Sequence, residues 1–122
     1  MSAISGHELY HKREWYNKLA GSISYAKMYY SHSIIEHLQV HHKWVSTMED
    51  TDTARKGGSF WAFFLRSYIE SYTKCWDLET KRVKKEKGNE TSTLSIILNN
   101  KITLCVAIHI AIMATIYYFL GF

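Results

Sequence analysis

The chain has 122 residues, enough for one domain, and 47% of them are hydrophobic and 15% aromatic, a composition that excludes a disordered or low-complexity segment. Its formal net charge is +4 at pH 7, but the lysines gather in residues 81–87 and at Lys101, away from most aromatic residues. This separation argues against a nucleic-acid-binding surface, in which basic and aromatic side chains are interleaved.

The first 45 residues are expected to be helical, because the chain contains no proline and only six glycines to interrupt a helix. We expect one helix from about Gly6 into the twenties, with a bend near residues 20–21. A second helix is expected over residues 25–44. These two helices carry six of the seven histidines, so residues 1–45 are predicted to be the chemically active part of the chain.

The middle of the chain contains two segments that differ in composition. Residues 46–59, STMEDTDTARKGGS, are polar and are expected to form a surface loop that leads into a helix. Residues 60–87 mix aromatic, aliphatic and charged side chains. This mixture predicts an amphipathic helix at a membrane surface, or equally a helix whose aromatic face packs on other helices.

The last segment, residues 102–122, contains no charged side chain. As a helix it would rise roughly 1.5 Å per residue and reach about 30 Å, the thickness of a bilayer's hydrocarbon core. We therefore expect a transmembrane helix; the alternative is a helix buried in a soluble core or an oligomer interface. The basic residues 81–87 and Lys101 precede it, which predicts that the histidine motifs lie on the cytoplasmic or matrix side.

The first histidine motif is HELYH, in which His7 and His11 are four residues apart and can converge on one metal from one helix face. HExxH is also the zincin motif, with Glu8 as the general base, so a zinc peptidase is an alternative. The extended metzincin form requires glycine and histidine where this chain has Glu14 and Asn17.

The second motif is EHLQVHH. His37 and His41 repeat the four-residue spacing, and His42 follows about 100° further round an α-helix. Five histidines exceed the needs of one tetrahedral zinc ion, so their number favours two metal ions.

Two glutamates stand directly beside ligand candidates. Glu8 and Glu36 are expected to accept the distal N–H of an imidazole and fix its orientation; the alternative is that either is a solvated helix residue. His32 and His109 each stand apart from the motifs and are expected to be hydrogen-bonded structural residues rather than ligands.

The order of HELYH, EHLQVHH and TMEDTDTARKGGSFWAFFLRS resembles the membrane alkane 1-monooxygenases, within the superfamily of integral-membrane fatty-acid desaturases and hydroxylases. The family pattern is HExxH, then EHxxGHH, then a stretch close to ATPxDPxxARxGExxxxFxxR. The likeness runs from Gly6 to about Arg82 and includes WDLETKR, which resembles the family's Trp-x-x-Glu segment. Val40 replaces the glycine of the second box, Gly58 replaces a glutamate, and the two prolines of the following stretch are absent.

The resemblance implies a non-haem di-iron monooxygenase. Such an enzyme uses O2 and electrons from a rubredoxin- or ferredoxin-type partner to hydroxylate a terminal C–H bond of an alkane or fatty acyl chain. Carried over residue by residue, it implies that two iron ions are held by His7, His11, His37, His41 and His42.

The family also has an EHYG-type motif and a third histidine box, which this sequence does not contain. The chain alone is therefore expected to be inactive: part of a longer protein, a subunit whose missing ligands come from another chain, or a degenerate relative.

Residues 1–122 are thus expected to form an all-α, integral-membrane part of a desaturase-like domain, with the lipid bilayer as its surroundings and amphipathic helices at the membrane surface. A non-catalytic structural subunit of a larger membrane complex is the principal alternative, and the zinc peptidase is a weaker one.

Overall fold

The computed structural model describes residues 3–121, and every regular element within that range is a helix. The expectation of an all-helical chain is confirmed. The helices are α1 Ala3–Tyr10, α2 Trp15–Ala26, α3 Ser33–Glu36, a π-helical segment His37–His41, α4 His42–Trp44, α5 Phe60–Lys87, α6 Thr93–Asn99 and α7 Lys101–Leu120.

Helices α1 and α2 form a hairpin whose break lies at residues 11–14 rather than near residues 20–21. Gly21 is an interior residue of α2 and is buried. A Cβ atom on Gly21 would lie 2.8 Å from the ring of Tyr10. This glycine therefore permits the close packing of α1 on α2, and does not bend the helix.

The segment expected as one helix over residues 25–44 is divided. Helix α2 ends at Ala26, and the turn that follows contains Tyr29 in the left-handed region, with φ of 55°. A continuous helical run then extends from α3 through the π-helical segment to α4. In the π-helical segment the backbone N–H of His42 bonds to the carbonyl oxygen of His37, five residues back.

Helix α5 is the longest element, and α3, α6 and α7 pack against it. It begins at Ser59, whose side chain accepts a hydrogen bond from the Ala62 N–H, and ends at Gly88, whose φ is 100°. Its buried face meets α3 and α7 in a small apolar cluster. The members of this cluster are Ile35, Cys75 and Ile102, with Ile34 and Tyr72 packed against them.

Helices α6 and α7 follow the turn after α5. The Ser92 side chain caps α6 by accepting a hydrogen bond from the Ser95 N–H. Asn100 caps α7 by accepting a hydrogen bond from the Ile102 N–H at 2.8 Å. Among the described residues, α7 is the one helix long and apolar enough to cross a membrane, and most of its surface is exposed.

Burial is distributed in an unusual way. The largest fully buried side chains are mainly polar, whereas many large apolar side chains of α5 and α7 are exposed. Water-soluble domains usually bury the apolar residues instead. An exposed apolar surface of this kind is typical of contact with lipid or with further protein.

Candidate metal centre

Four histidines from two separate parts of the fold converge. His7 lies in α1 and His11 directly after it, while His37 and His42 lie in the helical run that packs against them. The Nε2 atoms are 3.3 Å apart between His7 and His11, 3.2 Å between His11 and His37, and 3.0 Å between His37 and His42. The ligand atoms of His7, His11 and His37 all lie within 4.8 Å of one another.

The π-helical segment decides which histidines of the second motif meet. In an α-helix, residues four apart share a face, which would align His37 with His41. Here the backbone bond between His42 and His37 closes a wider turn. Residues five apart therefore align, and the imidazole of His42 joins His37.

His41 takes a different partner. Its Nδ1 lies 3.0 and 3.1 Å from the two carboxylate oxygens of Asp50, whose side chain is fully buried. A carboxylate can only accept, so Nδ1 carries the proton and Nε2 keeps its lone pair for a metal. The His41 ring stacks on His37 with centroids 5.4 Å apart and lies 6.2 Å from the ring of His42, so it adjoins these two imidazoles.

Residues of the polar loop after α4 form hydrogen bonds that fix the second histidine motif. Asp50 also accepts hydrogen bonds from the Thr53 hydroxyl and the Asp52 backbone N–H. Thr51 donates its hydroxyl proton to the buried carboxyl group of Glu36. Two consecutive loop residues therefore fix groups of the helix that carries the second motif.

Asp50 was absent from the residues singled out in the sequence, although a signal for it existed. It occupies the aspartate position of the family stretch ATPxDP, nine residues after His41. Of the glutamates that were singled out, Glu8 is exposed, and within the described residues no imidazole of the cluster bonds to it. Glu36 is buried, but its hydrogen-bond partners are Thr51 and Asp52 rather than an imidazole.

Lowered pKa values favour the neutral form of two imidazoles, those of His37 and His42. Burial, followed by the neighbouring imidazoles, lowers the pKa of His37 to about 4. The same causes lower the pKa of His42. Neutral imidazoles offer a lone pair to a metal without first releasing a proton.

The two buried carboxyl groups are shifted in opposite directions. Burial raises the pKa of Glu36 to about 7, against the hydrogen bond from Thr51. Burial acts the same way on Asp50, but hydrogen bonds from Thr53, the Asp52 amide and His41 outweigh it and lower the pKa of Asp50. Asp50 is therefore the permanent anion of the site.

The donor set fits a metal. A divalent ion at about 2.0–2.1 Å from each imidazole nitrogen holds neighbouring ligand atoms roughly 3 Å apart or slightly more. The Nε2 separations of 3.3 and 3.2 Å within His7, His11 and His37 match this requirement. The Nε2 atom of His42 matches it with His37 alone, at 3.0 Å.

The two isolated histidines have structural partners. His32 is fully buried, with Nε2 2.6 Å from the Ser71 hydroxyl and its ring 3.7 Å from that of Tyr72. His109 of α7 lies with Nε2 2.7 Å from the Ser31 hydroxyl. These contacts join the turn before α3 to α5 and to α7, and the interpretation of both histidines as structural residues stays a prediction.

Comparison with known proteins gives a consistent result. The family model described as fatty acid desaturase matches residues 1–122. Alkane 1-monooxygenase 1 of Alcanivorax borkumensis is 32% identical over 110 residues, which are 90% of this chain and 27% of the relative. Alkane 1-monooxygenase of Ectopseudomonas oleovorans is 37% identical over 79 residues, which are 65% of this chain and 20% of the relative.

A third relative, alkane 1-monooxygenase 1 of Pseudomonas aeruginosa, is 36% identical over 83 residues, which are 68% of this chain and 22% of the relative. The chain therefore spans about a quarter of the length of these relatives or less. No solved structure gives a significant match.

Proposed function

The chain belongs to the fatty acid desaturase family, and on that premise we propose that it carries the first two histidine boxes of a non-haem di-iron membrane monooxygenase. The reaction is hydroxylation of a terminal C–H bond of an alkane or fatty acyl chain by O2. The observation that carries the proposal is the convergence of the ligand atoms of His7, His11 and His37, with the Nε2 atom of His42 3.0 Å from that of His37. The relatives' names, alkane 1-monooxygenase, support the reaction class.

The residues of this chain have distinct roles in the proposal. His7, His11, His37 and His42 hold iron through Nε2, and His41 adds its Nε2 because Asp50 retains the Nδ1 proton. Bound iron supplies the activation of O2, which amino-acid side chains do not perform.

Five imidazoles are too few to hold two iron ions in a defined geometry. We propose that the remaining ligands come from polypeptide outside residues 1–122, as the third histidine box does in the family. Without those ligands the 122 residues bind iron but do not hydroxylate. Electrons arrive from a rubredoxin- or ferredoxin-type partner.

The proposal places α7 across the bilayer. The 21 residues that follow Lys101 carry no charge, and residues 81–87 contain five basic side chains near the start of α7. Positive charge at one end of a spanning helix favours the cytoplasmic side. The histidine cluster, which precedes α5 in the chain, is therefore assigned to the cytoplasmic side, with α5 along the membrane surface.

Titration of the purified chain with Fe²⁺ in detergent tests the metal site. The wild type is expected to bind Fe²⁺, and His37→Ala and His42→Ala are expected to lose most of that binding, because each removes an Nε2 atom of the cluster. Gln39→Ala is the matched control, since Gln39 lies in the same π-helical segment with an exposed side chain. Full Fe²⁺ binding by His37→Ala would contradict the assignment.

A further inference from the structure

A second concave site lies between the turn after α2, the loop before α5 and the first part of α5. It is a cavity of about 330 Å³. Its walls are mainly aromatic rings, and one acidic side chain borders it. These residues are Tyr25, Tyr30, Phe63, Phe64, Tyr68 and Asp52.

The rings form a continuous wall. Ring centroids are 6.4 Å apart between Tyr25 and Tyr30, 6.0 Å between Tyr30 and Tyr68, and 6.3 Å between Tyr68 and Phe64. Burial raises the pKa of Tyr25 and of Tyr30, and the charge of Asp52 adds to both shifts. The phenols therefore remain neutral and present π faces.

Asp52 is the acidic side chain of the wall and is held by a hydrogen bond. The buried Ser67 hydroxyl donates to its Oδ1 at 3.1 Å. Among the described residues that line the cavity, none is basic. The nearby Arg66 lies over the Phe63 ring, 5.6 Å from its centroid, and bonds to Glu70 and to the Thr53 carbonyl.

Aromatic faces carry partial negative charge and attract cations. The cavity is open to solvent on the side of Asp52, Phe64 and Tyr68, which are exposed. A wall of rings with few hydrogen-bond acceptors suits a cation that needs none, and the carboxylate supplies the opposite charge. We propose that this aromatic box, the six residues named above, binds a quaternary ammonium group with Asp52 as its counter-charge.

Two sources offer this chemistry: the choline headgroup of a phospholipid and a free quaternary amine. The exposed Trp61 and Leu65 lie on the same turns of α5 as the box. The box shares no side chain with the histidine cluster, although the Asp52 amide bonds to Asp50. The proposal does not rest on iron or on the proposed reaction.

Calorimetric titration of the purified chain in a maltoside detergent tests the box. Choline is compared with 3,3-dimethylbutan-1-ol, which has nearly the same shape and no charge. Choline is expected to bind at least about tenfold more tightly, because the carboxylate and the ring faces act on the charge alone. Equal affinity for the two compounds would overturn the proposal.

Single substitutions distinguish the contribution of the carboxylate to choline binding from that of the aromatic rings. Asp52→Asn and Tyr68→Leu are each expected to weaken choline binding by about tenfold, while Tyr68→Phe retains more affinity than Tyr68→Leu because it keeps a π face. Asp77→Asn, an exposed aspartate of α5 outside the box, is the matched control and leaves binding unchanged. Helical content and melting temperature establish that each variant is folded. Undiminished choline binding by folded Asp52→Asn would also overturn the proposal.

Lipid nanodiscs identify the source. Tetramethylammonium is titrated into the chain in phosphatidylcholine nanodiscs and in phosphatidylglycerol nanodiscs. A lower apparent affinity in phosphatidylcholine supports the lipid headgroup as the occupant, because the headgroup competes for the box. The same affinity in both lipids supports a free quaternary amine. Absence of tetramethylammonium binding in phosphatidylglycerol nanodiscs would overturn the proposal.

Discussion

At the scale of single residues, Asp50 determines how His41 presents its second nitrogen. The carboxylate accepts from Nδ1 and is itself held by Thr53 and the Asp52 amide. This places the anchor of a proposed ligand in a polar loop rather than in the helix that carries His41. The orientation of His41 is thus coupled to the folding of the loop.

Asp50→Asn is therefore expected to lower the Fe²⁺ affinity of the chain about 10- to 100-fold, the usual effect of losing a hydrogen-bond partner of a metal-binding histidine. Fe²⁺ titration of the purified protein measures it. Glu49→Gln changes the charge of the adjacent, exposed residue and should leave the affinity unchanged. Wild-type affinity in Asp50→Asn would show that the contact does not orient His41.

At the scale of helices, the packing of α1 on α2 positions the first histidine motif. Gly21 admits the Tyr10 ring, and Tyr10 in turn hydrogen-bonds to Ser33 at the start of α3 at 2.9 Å. Since His11 directly follows Tyr10, this contact sets the distance between the first and second motifs.

Gly21→Ala places a methyl group 2.8 Å from the Tyr10 ring and 3.0 Å from the Gly6 carbonyl oxygen. Overpacking costs about 1–3 kcal/mol, whereas alanine's better helix propensity returns about 1 kcal/mol. The free energy of unfolding is expected to fall by up to about 2 kcal/mol, which denaturation measures. Fe²⁺ titration is expected to show weaker binding. Lys18→Ala, exposed on the same helix, controls for propensity; a melting temperature raised by Gly21→Ala would refute the packing role.

Glu79 joins α5 to the start of α7. Its carboxylate accepts from Arg82 at 2.8 and 3.0 Å and from the backbone N–H of Lys101 at 3.2 Å. Burial opposes the charge, but the bonds from Arg82 and the Lys101 amide outweigh it and lower the pKa of Glu79.

Glu79→Gln is expected to destabilise the chain by about 1.5–3 kcal/mol at pH 7, the range for hydrogen bonds to charged groups. Because the folded pKa is depressed, the carboxylate's contribution is complete above the unfolded value of about 4.3 and disappears as pH falls through the lower folded pKa. Denaturation of wild type and variant from pH 7 downward should show the difference closing in acid.

Glu86→Gln provides the comparison, since Glu86 is more than half exposed and shares the same Arg82 partner. It should cost less than about 1 kcal/mol. A difference between wild type and Glu79→Gln that persists unchanged at the lowest pH would contradict the role assigned to the carboxylate.

At the scale of the whole molecule, α7 presents its apolar side chains outward. Ile110, near its middle, is 63% exposed. Ile110→Arg is expected to make membrane insertion less favourable by about 3 kcal/mol, which alkaline extraction of membranes from expressing cells measures as release of the chain. Ile110→Leu should remain in the membrane fraction. Equal retention of both variants would argue that α7 contacts protein rather than lipid.

The sequence alone was sufficient for the helical class, the two histidine motifs, the apolar C-terminal segment and, through their order, the family. These properties depend on composition and on spacing over a few residues, which a linear pattern records directly. The same local reasoning assumed α-helical geometry at EHLQVHH and therefore paired His37 with His41.

Only the tertiary structure decided which atoms meet. The π-helical turn aligns His42 with His37, the loop supplies Asp50 to His41, and α5 brings Tyr68 opposite Tyr30 to close the aromatic box. The alignment of His42 with His37 depends on one added residue in a helical turn. The other two contacts depend on how separate segments of the chain pack together. Such effects are set by long-range packing energy, which the spacing of residues along the chain does not encode.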